Sequence, residues 1–128
     1  MSFAKVVLWL VGLITLAFGA LSLVAPQKIA ELTQFGLLSA GAITEVRAFY
    51  GGVELGLAAF WIAGAIKPTL MRGALVSMVL VWGAVVFSRA AGIVLDGSFN
   101  ATMGVVLGIE ILSAVLAYVA LTRLPANQ

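Results

Sequence analysis

Four long apolar runs organise the chain, and polar residues sit mostly at their edges. Residues 6 to 25, VVLWLVGLITLAFGALSLVA, carry no charge and end at Pro26. Three further runs follow at about 47–66, 70–88 and 101–121. About 20 residues at ~1.5 Å rise cross the ~30 Å hydrocarbon layer, so each run predicts a transmembrane helix. The runs are continuous rather than alternating, which argues against a membrane β-barrel. Lys67-Pro68 predicts a tight turn between the second and third runs, and Asp96-Gly97-Ser98 a short loop before the fourth. The first run is too long for the roughly 7–15-residue core of a signal peptide, so it is expected to stay as a helix.

In the connection from 26 to 46, Ile29, Leu32 and Phe35 recur every third residue, with Lys28 and Glu31 between them. That spacing fits a short amphipathic helix at the membrane interface; a plain connector fits it equally well. The predicted fold is an all-α integral membrane protein, a single domain over residues 1–128. It is an up-down four-helix transmembrane bundle with a short interfacial helix between the first two spans.

Composition strengthens this reading: 63% of residues are hydrophobic, 9% are charged, and mean hydropathy is +1.20. Soluble domains carry roughly a quarter charged residues. Cysteine and histidine are absent, which removes disulfides, thiol chemistry, imidazole bases and most transition-metal sites. No metal or cofactor is expected. The bases are scattered singly, so no nucleic-acid footprint is present.

Short loops force successive spans to alternate in direction. Lys5, Lys67, Arg72 and Arg123 then share one side of the membrane, with no acid among them. Lys28, Arg47 and Arg89 lie toward the other side with all five acids. Counting bases near the span ends places both termini in the cytoplasm.

Lipid is as apolar as leucine, so these helices must associate through close backbone approach and hydrogen bonds. Gly12, Thr15, Gly19 and Ser22 form a small-residue seam on the first span. Gly52, Gly56, Ala59 and Ala63 form one on the second, and Gly51, Gly52 and Gly56 are the expected close-packing glycines there. The third span offers Gly73, Ser77, Ala84 and Ser88; the fourth offers Gly104, Gly108, Ala114, Ala117 and Ala120.

At 100° per residue, Arg47, Tyr50, Gly51, Glu54, Ala58 and Trp61 fall on one face of the second helix. Arg89 closes the outward end of the third, Asp96 lies in the loop beyond, and Glu110 is about 14 Å into the fourth at ~1.5 Å per residue. Arg47, Tyr50, Glu54, Arg89, Asp96 and Glu110 therefore form a polar cluster in one half of the bundle. A charge at the bilayer centre costs about 2.5–3.5 kcal/mol on insertion scales, and arginines reaching from neighbouring helices offset part of it. A carboxyl there has a second state, protonated and donating a hydrogen bond. The same residues serve equally as a staple for a bundle that lacks hydrophobic cohesion. Of the tryptophans, Trp61 is the one placed to act as an interfacial anchor.

The stretch E-V-R-A-F-Y-G-G-V-E-L-G-L, from residue 45, resembles a family of small bacterial four-helix membrane proteins, domain of unknown function 4345. R-A-A-G-I-V-L-D-G, from residue 89, is similar to a second motif of that family. The resemblance implies the same four-helix fold, a bacterial plasma-membrane location, and motif positions at Glu45, Arg47, Tyr50, Gly51, Gly52, Arg89 and Asp96. It also implies a distant kinship with DoxX-like proteins, some of which work beside quinone-linked or redox partners. The family carries no established activity.

The favoured function is binding: a polar pocket in one leaflet half takes a lipid- or quinone-like ligand, or docks a partner subunit or a second copy. The alternative is a small proton-coupled transporter that uses Glu54 or Glu110 as its switching carboxylate. Catalysis is not expected, because no nucleophile stands beside a base in a recognisable arrangement.

Overall fold

The structure, a computed structural model, describes residues 1–125. Helix α1 (Phe3–Val24) starts where Ser2, in extended conformation, accepts the Lys5 N–H on its hydroxyl. Pro26 opens the short helix α2 (Pro26–Thr33), where its fixed φ and missing N–H suit the first helical position. Gln34, left-handed at φ 60°, ends it. Ser39 caps α3 (Ala40–Glu45) by accepting the Ala42 N–H at 3.1 Å. This helix continues through a π-helical segment, Val46–Val53, into α4 (Glu54–Ile66). Lys67 turns the chain into α5 (Pro68–Asp96), which Gly97 ends at φ 62°. Asn100 caps α6 (Ala101–Thr122) by accepting the Met103 N–H at 2.8 Å.

Four of these stretches are long and apolar enough to cross a membrane: Phe3–Val24, Ala40–Ile66, Pro68–Asp96 and Ala101–Thr122. No strand occurs among the described residues. Two crossings are longer than their patterns suggest. The second begins at Ala40 rather than near residue 47, because Ser39 supplies a true cap upstream. The third runs past Ser88 to Asp96, because Arg89 finds a partner and does not mark an end.

Side-chain contacts fix the directions. A β-carbon on Gly12 would stand 3.0 Å from Ile62, and one on Gly19 would stand 3.1 Å from Glu54, so α1 runs antiparallel to the second crossing. Trp61 donates its indole N–H to Ser77 at 3.0 Å, joining α4 antiparallel to α5. Arg89 meets Glu110, and Arg72 donates to the Pro125 carbonyl at 2.9 Å, which sets α6 antiparallel to α5. The result is the up-down helical bundle.

The apolar core occupies the half that holds residue 4 and the 67–72 turn. Val7, Leu8, Trp61, Leu75, Met78 and Ala117 pack there with at most 2% of their surface accessible. Trp61 is therefore a core residue, not an interfacial anchor, and its ring packs on Trp82 with centroids 6.1 Å apart. Ser77→Ala would strand the Trp61 N–H and is expected to cost about 1–2 kcal/mol. Equilibrium unfolding in detergent should also show that the change costs almost nothing once Trp61 is already Phe.

The small-residue seam on α1 is buried throughout, at Gly12, Thr15, Gly19 and Ser22. On the second crossing the expectation needs correction. Gly51 is buried against Leu23, but Gly52 and Gly56 lie on the accessible surface, and a β-carbon on Gly56 would meet nothing within 4 Å. The small residues packed inward there are Gly51, Ala58, Gly64 and Ala65. At 100° per residue Gly51, Ala58 and Trp61 share one face, and that face packs inward; the Gly52 and Gly56 stripe lies on the opposite side of the helix and faces outward.

Candidate functional site

Arg89 and Glu110 form the centre of the polar half. Arg89 donates through Nε to Glu110 Oε2 at 2.7 Å and through Nη2 to Oε1 at 2.6 Å. Two parallel N–H···O bonds match the planar guanidinium to the carboxylate plane, the strongest geometry open to such a pair. The Glu110 residue is 4% exposed, while the Arg89 side chain keeps a third of its surface accessible. The charge pair is thus buried at one end and reachable at the other.

Glu54 stands apart from this pair. Its β-carbon packs against Gly19 on α1, its residue is half-buried, and its carboxyl lies within electrostatic reach of Glu110. Among the described residues no donor bonds to that carboxyl. Tyr50 lies within electrostatic reach of Arg89 and completes the group. The group therefore holds one guanidinium and two carboxylates, and the guanidinium is bonded to Glu110. On the same face of α1, between Gly12 and Gly19, Thr15 is 3% exposed, and its hydroxyl has no hydrogen-bond partner among the described residues.

Two expected members are elsewhere. Arg47 does not reach Glu54; its Nε donates to the Leu23 carbonyl at 3.1 Å. The last carbonyls of any helix lack internal partners, and a cation from the next crossing fills that need at the end of α1. Asp96, the final residue of α5, is exposed and stands outside the cluster. It is helical rather than part of a loop. Glu45 is exposed at the end of α3, beyond the capped first turn.

The short helix expected between the first two crossings is α2. Ile29 and Ala30 of α2 are buried, while Leu32 of the expected stripe is 58% exposed. Gln34, just after α2, accepts from the Asn100 side-chain amide at 3.0 Å and so ties that helix to the start of α6. Phe35 and Phe18 close on Tyr50, with ring centroids 5.9 and 6.3 Å apart. Phe35 carried a signal, since it followed Ile29 and Leu32 at regular spacing. The Gln34–Asn100 bond joins residues far apart in sequence and carried none. Part of the accessible surface of Arg89 lies on the side of α5. There it borders a shallow recess of about 390 Å³ lined by Ala84, Val85, Ser88 and Arg89.

Four apolar crossings with an ion pair in one half define a small multi-pass helical membrane protein. The family model for domain of unknown function 4345 matches residues 3–121, and the chain belongs to that family. No curated protein and no solved structure matches it.

Proposed function

We propose that this protein binds the polar head of a lipid-borne ligand, lipid- or quinone-like, in the half that holds Tyr50, Glu54, Arg89 and Glu110. The observation that carries this reading is the imbalance of the cluster: Arg89 is committed to Glu110, and the half-buried Glu54 carboxyl is left without a donor. A head group that offers a hydroxyl or N–H donor, such as a hydroxylated lipid head or the reduced, quinol form of a quinone, supplies what Glu54 lacks. A recess beside Arg89 on the side of α5 suits a ligand that arrives through the membrane. The setting is a bacterial plasma membrane with both termini cytoplasmic. A proton-coupled transporter would need a polar path through the opposite half, and Leu8, Trp61, Leu75 and Met78 fill that space.

The test compares the lipids and quinones that co-purify with wild type and with Glu54→Gln and Arg89→Ala. A bound species enriched with wild type should fall at least severalfold in Arg89→Ala. Glu54→Gln, which keeps an acceptor oxygen but loses the charge, should weaken it less. Identical profiles in all three proteins would refute the reading.

A further inference from the structure

The opposite end of the bundle carries a second, independent feature. The amino end of α1, the start of α5 and the end of α6 enclose a recess of about 380 Å³. Ser2, Lys5 and Arg123 are its polar lining, and Phe3, Met71 and Leu124 line its apolar wall. Arg123 stacks over the Phe3 ring with its guanidinium carbon 5.3 Å from the centroid, which orients the cation at the mouth. Arg72 holds the Pro125 carbonyl at 2.9 Å and so fixes the far wall. Lys67 adds a fourth base to this end, and all five Asp and Glu residues of the chain lie elsewhere.

We infer that this recess binds the head group of an anionic phospholipid. Three physical features converge on that occupant. The bases sit at the ends of apolar spans, Lys5 three residues after Ser2 and Arg123 directly after α6, the level at which head-group phosphates lie. Their charge is unopposed by any nearby carboxylate side chain, so the end of the bundle carries a local positive field. Below the mouth, Val6, Leu10 and Leu13 expose 40–50% of their surface at helical spacing along the outer side of α1. A lipid whose phosphate lies between Lys5 and Arg123 can lay an acyl chain along that stripe. A free inorganic anion would use the cations but not the apolar wall or the stripe.

Native mass spectrometry on the full-length chain in detergent tests this, with phosphatidylglycerol and phosphatidylcholine added at equal concentration. Phosphatidylglycerol should be retained more strongly, and Lys5→Gln/Arg123→Gln should weaken it roughly 30-fold, the factor for two bases at about 1 kcal/mol each. Lys28→Gln, at the other end, should leave it unchanged and so controls for bulk charge. Circular dichroism of the double variant shows whether the fold is intact. Equal retention of the two lipids, or equal retention of phosphatidylglycerol by wild type and a folded double variant, would overturn the inference. So would displacement of the lipid by millimolar inorganic phosphate, which would mark a site for a free anion.

Discussion

Replacing Arg89 by Leu should lower the unfolding free energy by about 3 kcal/mol, making it one of the most damaging single changes outside the core. The change leaves the Glu110 carboxylate, in a residue only 4% exposed, without either of its donors. Removing one partner of a buried pair costs about 3–5 kcal/mol, and the lower end applies because Arg89 itself is a third accessible. The same asymmetry predicts that Glu110→Leu is milder, since an unpaired Arg89 still has surroundings to reach into. The double variant Arg89→Leu/Glu110→Leu should recover most of the loss, because it removes both charges together. Arg89→Lys should fall between, keeping the charge but losing the two-pronged geometry. Equilibrium unfolding in detergent, followed by tryptophan fluorescence, measures all four. If the double variant is as unstable as the two single losses added together, Arg89 and Glu110 do not act as a unit.

This pair also shows how far the chain could be read before its structure. Alternating spans placed Arg89, Glu54 and Glu110 in one half from hydropathy alone. Which carboxylate the arginine takes depends on the lateral order of helices, and α5 lies beside α6 there, so Glu110 receives it. The seam on α1 was legible because that helix is regular and a constant 100° step holds along it. On the second crossing the same step gathers Gly51, Ala58 and Trp61, which are buried together, but Arg47, in the π-helical segment, leaves that face. It goes instead to a backbone carbonyl, Leu23. A list of side-chain partners contains no such acceptor. The clue was Pro26, which closes α1 and marks where its end carbonyls need donors.

Gly64→Ala is the second substitution with a large expected effect. A β-carbon on Gly64 would collide with that of Ala74, while the Leu70 carbonyl at 3.5 Å and Leu8 at 3.6 Å would be in ordinary contact with it. A β-carbon cannot rotate away, so α4 and α5 must separate, and they do so beside the fully buried Leu8 and Leu75. Overpacking of this kind costs about 1–3 kcal/mol, and Gly64→Leu should exceed that range. Ala74→Gly in the same chain removes the colliding atom and should restore much of the loss. Gly51→Ala should fall between, because its nearest atom, at 2.8 Å, belongs to a Leu23 side chain that can shift. Gly56→Ala meets nothing within 4 Å, and the change should stay within about 0.5 kcal/mol of wild type, as exposed substitutions usually do. The ranking separates two kinds of glycine that look alike in the sequence: those that let helices touch and those that face outward. A Gly64→Ala protein as stable as Gly56→Ala would mean that α4 and α5 do not cross at Gly64 and Ala74, and that the core beside them is assembled differently.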